Sequence, residues 1–359
     1  MPQIRPPVRK GQGAEQLSRV EFSKRFRERF YDPSFDSERV HIERLLEIAW
    51  KNYSEGRKAP RTSKAGPGFA DPDYDLSDEW RDTQLAIRKA AAGQQKLNTV
   101  SRILLICASS RNDKTCPGEM SKTFRLVQLA RETLEHAGLE VDVLDLSSLA
   151  AEYGLHIHPC KACVSTAMPL CHWPCSCYPN HSLGQTNDAM NGIYPRWVAA
   201  HGVMVIAPVY WYQAPSGMKL MMERLVCADG GNPDPTSTHG KDPQLAKELE
   251  LQGWDYPRHL AGRAFSVIVH GDSEGADTLR RSLVDWFSDL KMIQAGNAAV
   301  LDRYIGYYEP YATSHEALDR DTGMQQEVRN AATSLARAVQ MIRAGTQEPD
   351  AELAEPRPK

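Results

Sequence analysis

The chain has 359 residues, 41% of them hydrophobic and 25% charged, with a formal net charge of −3, which makes it longer than one typical domain without requiring two full ones. That balance gives no reason to expect nucleic acid or an anionic membrane as a partner. No uninterrupted apolar run approaches the ~20 residues of a membrane span, and the opening MPQIRPPVRKGQG lacks the apolar core of a signal peptide. A cytoplasmic, reducing location is therefore expected. There the cysteines do not form a disulfide framework, least of all those packed between Cys160 and Cys177.

Residues 1 to about 18 read as a flexible arm, with Pro2, Pro6, Pro7, Gly11 and Gly13 in a polar setting. Phe22, Phe26 and Phe30 then recur at i, i+4, i+8 as one apolar stripe on a basic helix. A second helix is expected from about Ser37 to Tyr53. An irregular crossing rich in Pro, Gly, Asp and Lys follows, and a third helix, capped by Ser77, covers roughly 77–92. The stripe needs a covering surface, either the following domain or a second subunit. A homodimer or homotetramer is expected.

From Val100 the texture changes to strands alternating with helices. Buried strands are expected at 102–108, 141–146, 203–207, 264–270 and 298–304, and helices at 121–136, 191–201, 216–226, 276–292 and 314–344. The tail from residue 346 reads as disordered. Five strands alternating with helices predict an α/β fold, a parallel sheet in the order 2-1-3-4-5 covered on both faces. The organisation expected is a helical extension over 1–98 and an α/β domain over 99–345, with a cysteine-rich insert at 156–187 and another insert at 228–262.

Three strand-to-helix loops converge on the carboxyl edge of such a sheet, where open α/β folds bind ligands. The first runs from Ser109 and Arg111 to Ser121, Lys122 and Thr123, and hydroxyls and cations at a helix N-terminus suit a phosphate. The second holds Pro208, Val209, Tyr210, Trp211 and Tyr212. Three consecutive aromatics cannot all point inward from one turn, so a flat ligand is favoured over a cap on the sheet. The third is His270-Gly271-Asp272-Ser273-Glu274-Gly275, whose glycines permit close backbone approach. Neither GxxxxGK[ST] nor GxGxxG is present, which argues against a P-loop or a Rossmann-held dinucleotide.

The series Ser109-Ser110-Arg111, Ser121-Lys122-Thr123, then Ala207-Pro208-Val209-Tyr210-Trp211 with Pro215, Lys219 and Arg224, resembles the flavodoxin-like NADPH-dependent FMN reductases over roughly 100–310. The resemblance implies FMN, with Ser109, Arg111, Ser121 and Thr123 near its phosphate and Pro208, Val209, Tyr210 and Trp211 along the isoalloxazine. His270, Gly271, Asp272 and Gly275 would form the far wall. It also implies NAD(P)H as hydride donor and a small acceptor such as a quinone, nitro compound or other electrophile. The flavin carries that chemistry and no side chain stands out as a required acid or base. The rival reading is an electron carrier or redox sensor without its own small substrate.

The run Cys160-x2-Cys163-x7-Cys171-x3-Cys175-x-Cys177 has metal-ligand character. Its position after the second strand is similar to that of the cysteine motif in iron–sulfur flavoproteins. Three readings stay open: an iron–sulfur cluster, a zinc site, or a metal-free loop. If a metal binds, Cys160, Cys163, Cys171 and Cys175 are the expected ligands, with Cys177 as the alternative.

Overall fold

The structure is a computed structural model that describes residues 16–346 apart from Pro117, Asp272, Ser273 and Tyr308. Most of the expected N-terminal arm, the tail and the expected wall residue Asp272 lie outside the described residues. The chain forms two compact units. One holds the chain up to Leu85 with Lys161–Asp188 and Asn232–Trp254; the other holds Ala86–Cys160, Ala189–Gly231 and the chain from Asp255 onward.

In the first unit the helix Arg19–Arg27 starts at Ser18, whose hydroxyl accepts from the Glu21 N–H, the usual satisfaction of a free first-turn donor. The phenylalanine stripe finds its cover within this unit. Phe22 lies 5.4 Å from Trp50 and 4.9 Å from Tyr53, both on the helix Arg39–Ser54, and Phe30 lies 5.5 Å from Phe35. Rings at these separations supply apolar burial plus a modest aromatic preference, so the stripe does not need a second subunit.

The crossing expected to be irregular contains a short antiparallel hairpin, β1 (Thr62–Lys64) and β2 (Asp75–Ser77). Ala65, Leu76 and Trp80 bury beneath it, with Phe69 and Tyr74 packed against them. Ser77 ends β2 and the helix Asp78–Gln94 follows directly, with Asp78 and Glu79 in its first turn. A three-residue strand is too short to show a period, which is why composition alone reads as loop there.

The second unit is the α/β domain. Its sheet comprises β3 (Arg102–Cys107), β4 (Glu140–Asp145), β5 (Gly202–Pro208), β6 (Ala264–Gly271), β7 (Ile293–Gln294) and β8 (Val300–Tyr304), all parallel. The order is β4-β3-β5-β6, with β7 and β8 each pairing with β6 at different points along it. This is the expected 2-1-3-4-5 order, with the last position shared by two segments. The chain pairs briefly at Ile293–Gln294, turns at Gly296 (φ +103°), and rejoins as β8. Five strands were expected because a two-residue strand leaves no sequence signal.

Every residue of β5 and β6 is buried, as strands covered on both faces require. On one face the helices Lys122–His136 and Thr322–Ala344 cover the sheet, burying Leu126, Ala130, Val328, Leu335 and Val339 against Ile103, Leu105 and Met204. On the other, Phe265 stacks on Phe287 at 4.7 Å, and Trp197 meets Phe287 and Trp286. Each such fully buried side chain contributes on the order of 1.5–3 kcal/mol of transfer free energy. The single C-terminal helix expected over 314–344 is divided into Ser314–Arg320 and Thr322–Ala344 at Asp321, whose carboxylate caps the second by accepting from Met324 N–H at 2.8 Å.

Candidate functional site

At the carboxyl end of β3 the chain leaves through Ser109, whose hydroxyl accepts from the Arg111 N–H at 3.1 Å. Asn112 clasps the loop to the end of β4: its amide nitrogen donates to Asp145 and to Ser147, each at 2.7 Å. The loop closes at Ser121, the N-cap of Lys122–His136. Its Oγ accepts from the Phe124 N–H at 3.1 Å and donates to the Arg111 carbonyl at 2.9 Å. One hydroxyl thus fixes both the start of the helix and the turn that carries Arg111.

The loop after β5 is folded back on itself. Trp211 and Tyr212 take left-handed backbone conformations (φ +49° and +66°), and Tyr210 and Gln213 bridge across the turn. Such conformations are uncommon outside glycine and asparagine and cost of order 1 kcal/mol or more each. The result leaves Trp211 94% exposed and Tyr212 63% exposed, while Tyr210 turns inward so that its hydroxyl stands 3.5 Å from Ser109 Oγ. The loop after β6 approaches this turn at Gly275 (φ +107°), where a Cβ would stand 3.0 Å from the Cα of Tyr212. Only glycine meets both demands. Val209 N–H donates to the His270 carbonyl at 2.9 Å, so the two loops are also tied at their roots.

These loops enclose a cavity of about 260 Å³, lined among others by Ser109, Arg111, Ser121, Lys122, Thr123, Pro208, Val209, Tyr210, His270 and Gly271. Of the expected residues that the structure describes, Trp211 and Gly275 fall outside this lining. A larger cavity, about 680 Å³, lies near the amino ends of β3 and β4 around Arg102, Glu140, Arg196 and His201. The smaller one lies at strand carboxyl ends and a helix N-terminus, where open α/β sheets place their ligand sites.

The electrostatics of the smaller cavity favour an anion. Lys122, only 8% exposed, sits at the first position of a helix and donates to the Ile305 carbonyl at 3.1 Å. A cation and a helix N-terminus both favour a negative ligand. His270 is fully enclosed, and burial, reinforced by the Lys122 charge, pushes its pKa down to about 3. Its Nε2 pairs with Thr123 Oγ1 at 2.8 Å, while its Nδ1 and the Nε of Arg111 are buried without a partner. Sequence reasoning missed Glu119, Tyr311, Ser314 and His315, which complete the lining. The last three follow β8, far from any loop motif, and only the return of the chain from that strand brings them here.

The cysteines divide. Cys107 lies in β3, where burial and then the Asp145 charge push its thiol up to about 12, and Cys116 is exposed in the first loop. In the unit built on the N-terminal helices, Cys163 Sγ lies 3.8 Å from Cys177 Sγ, and Lys241 Nζ donates to Cys163 Sγ at 3.5 Å. Among the described residues no group of three or more His, Cys, Asp or Glu side chains is gathered to hold a metal ion. Of the expected ligand set, Cys160 belongs to the α/β unit, and Cys163, Cys171 and Cys175 to the unit built on the N-terminal helices. Cys163 meets Cys177, the residue expected only as an alternative, and Cys171 and Cys175 also lie close enough to act on Lys241.

The fold is flavodoxin-like, with a cavity at the carboxyl edge of its sheet. The model of the family described as "NADPH-dependent FMN reductase" matches residues 101–305, more than half of the chain, and the chain belongs to that family. It is accordingly an FMN-containing, NAD(P)H-dependent oxidoreductase. Among solved structures it is similar to RosB with a bound intermediate, 8-demethyl-8-formylriboflavin-5'-phosphate, at 12% identity (73% of this chain, 95% of that one, TM-score 0.47). It is also similar to a flavone reductase at 15% identity (69% and 66%, TM-score 0.40) and to the NAD(P)H:quinone oxidoreductase from Methanothermobacter marburgensis at 12% (68% and 98%, TM-score 0.38). No curated protein matches the sequence. Among the described residues no helix is long and apolar enough to cross a membrane.

Proposed function

We propose that this enzyme takes a hydride from NAD(P)H and passes the electrons to a small acceptor bound at the mouth of the cavity between the loops that follow β3, β5 and β6. The observation that carries the site is the pair of partnerless buried nitrogens, Arg111 Nε and His270 Nδ1, on residues that line a cavity together with Lys122 and a helix N-terminus. A phosphate dianion would supply a hydrogen-bond partner for the buried Arg111 Nε and suits a helix N-terminus, so the residues present fit the phosphate end of FMN. Ser109, Arg111, Ser121, Lys122 and Thr123 hold that end. Pro208, Val209, Tyr210 and Trp211 lie along the flat end, and His270, Gly271 and Gly275 wall the other side.

FMN, when bound, supplies the two-electron chemistry; the protein supplies position and electrostatics. The strained turn at Trp211 and Tyr212 keeps two aromatic faces available to a planar acceptor, which supports quinones, nitroaromatics and similar electrophiles as substrates. Asn112 and Ser121 hold the Arg111 loop in place before FMN arrives, which reduces the entropy lost on binding. Exposed Val40, Leu45 and Ile48 on the helix Arg39–Ser54 support a homodimer or homotetramer.

The test is steady-state oxidation of NADH and NADPH by FMN-loaded protein, with a quinone, a nitroaromatic and ferricyanide as acceptors. Saturable turnover with an organic acceptor is expected. Reduction of the protein without turnover of any small acceptor would favour the electron-carrier reading. Light scattering of the same sample reads the assembly.

A further inference from the structure

The pairing of Cys163 with Cys177 beside Lys241 is unused by the flavin site and independent of it. We propose that these two cysteines form a peroxide-reactive dithiol, with Cys163 as the attacking sulfur and Cys177 as the sulfur that resolves it into a disulfide.

The geometry assigns the roles. The two sulfurs are 3.8 Å apart, already in contact, so closure to a disulfide needs a movement of less than 2 Å against the bonded distance of about 2.05 Å. Cys163 is half-buried, whereas Cys177 is only 4% exposed, so an incoming oxidant meets Cys163 first. Lys241 stands beside Cys163 at 3.5 Å and is itself anchored on the Leu170 carbonyl. The segment between the two cysteines is irregular, with short 3-10 turns at Cys163–Ser165 and Met168–Leu170, and Cys163 packs beside Ala167, Leu170 and Ala246. No long helix or sheet strand must break for the sulfurs to close.

The chemistry balances in two steps. The Cys163 thiolate attacks one oxygen of a hydroperoxide; the S–O bond forms, the O–O bond breaks, and the leaving oxygen departs as water or alcohol after taking a proton from solvent. Cys177 sulfur then attacks Cys163 sulfur. The S–S bond forms, the S–O bond breaks, and the hydroxide leaves with the Cys177 proton as a second molecule of water. The two thiols lose two electrons together, and the peroxide gains them. A small dithiol reverses the change by exchange.

The experiment uses full-length protein, reduced, desalted and assayed for zinc and iron before hydrogen peroxide is added at a few equivalents. Intact mass should fall by about 2 Da, and peptide mapping should recover one cross-link, between Cys163 and Cys177, that dithiothreitol removes. Cys177→Ser should instead leave a dimedone adduct on Cys163. Circular dichroism checks that the variant is folded. Since the wild-type map needs no variant, a misfolded variant leaves it decisive. A cross-link involving Cys171 or Cys175, further oxidation of Cys163 without cross-linking, or stoichiometric metal that shields the thiols would each overturn the proposal.

Discussion

Replacing His270 by Gln offers a direct test of how the cavity is organised. In the folded protein, burial first and the Lys122 charge second hold the imidazole neutral, with its pKa at about 3 against 6.5 for an ordinary histidine. Above pH 6.5 both the folded and unfolded forms are neutral at this position, and stability is unaffected. Between 6.5 and about 3 the unfolded chain binds a proton that the folded chain refuses, so stability falls as the pH falls through this window. The loss approaches about 1.4 kcal/mol per pH unit. At pH 4.5 it amounts to about 2.7 kcal/mol. That is a large share of the 5–15 kcal/mol typical of a domain.

Glutamine places a nitrogen or oxygen near the position of Nε2, keeps a partner for Thr123 Oγ1, and cannot take up a proton in this range. The assay is urea unfolding of the FMN-free protein at pH 7.5 and pH 4.5, followed by tryptophan fluorescence. Carboxylates contribute an acid loss to both proteins, so the quantity of interest is the difference between the two losses. Wild type should lose about 2–3 kcal/mol more than His270→Gln over that interval. A difference below about 0.5 kcal/mol would mean that His270 is not sealed beside Lys122 as the structure has it.

Arg111→Ala should weaken FMN binding by about 10- to 150-fold, the effect of one charge-assisted hydrogen bond, read by isothermal titration, and leave thermal unfolding of the FMN-free protein, read by scanning calorimetry, nearly unchanged. Ser121→Ala should weaken FMN binding and in addition destabilise the FMN-free protein by about 1 kcal/mol, because the same hydroxyl caps the helix. Gly275→Ala should cost about 1–3 kcal/mol in urea unfolding, since a Cβ there meets Tyr212 at a φ of +107°; a neutral result would disprove the close approach of the two loops. Trp211→Ala should change stability by less than about 0.5 kcal/mol, given its exposure, yet raise the KM for an aromatic acceptor several-fold while leaving that for ferricyanide alone.

Much of this molecule follows from short-range pattern. Apolar runs at β3, β5 and β6 and helical periods between them predict a parallel sheet and its strand order, because strands buried on both faces must be continuously apolar and crossovers have one hand. The same pattern puts Ser109, Arg111, Ser121, Pro208, Tyr210 and His270 at the ends of strands, and the resemblance carried by those residues leads to FMN.

What local pattern does not contain, tertiary structure decided. The clasp of Asn112 on Asp145, the arrival of Tyr311, Ser314 and His315, and the contact of Gly275 with Tyr212 each join residues distant in sequence. The grouping of Lys161–Asp188 and Asn232–Trp254 with the N-terminal helices is of the same kind. So is the meeting of Cys163 with Cys177. Cysteine spacing along the chain limits which pairs are reachable, but the path of an irregular loop, fixed here by packing around Leu170 and Lys241, selects which sulfurs meet.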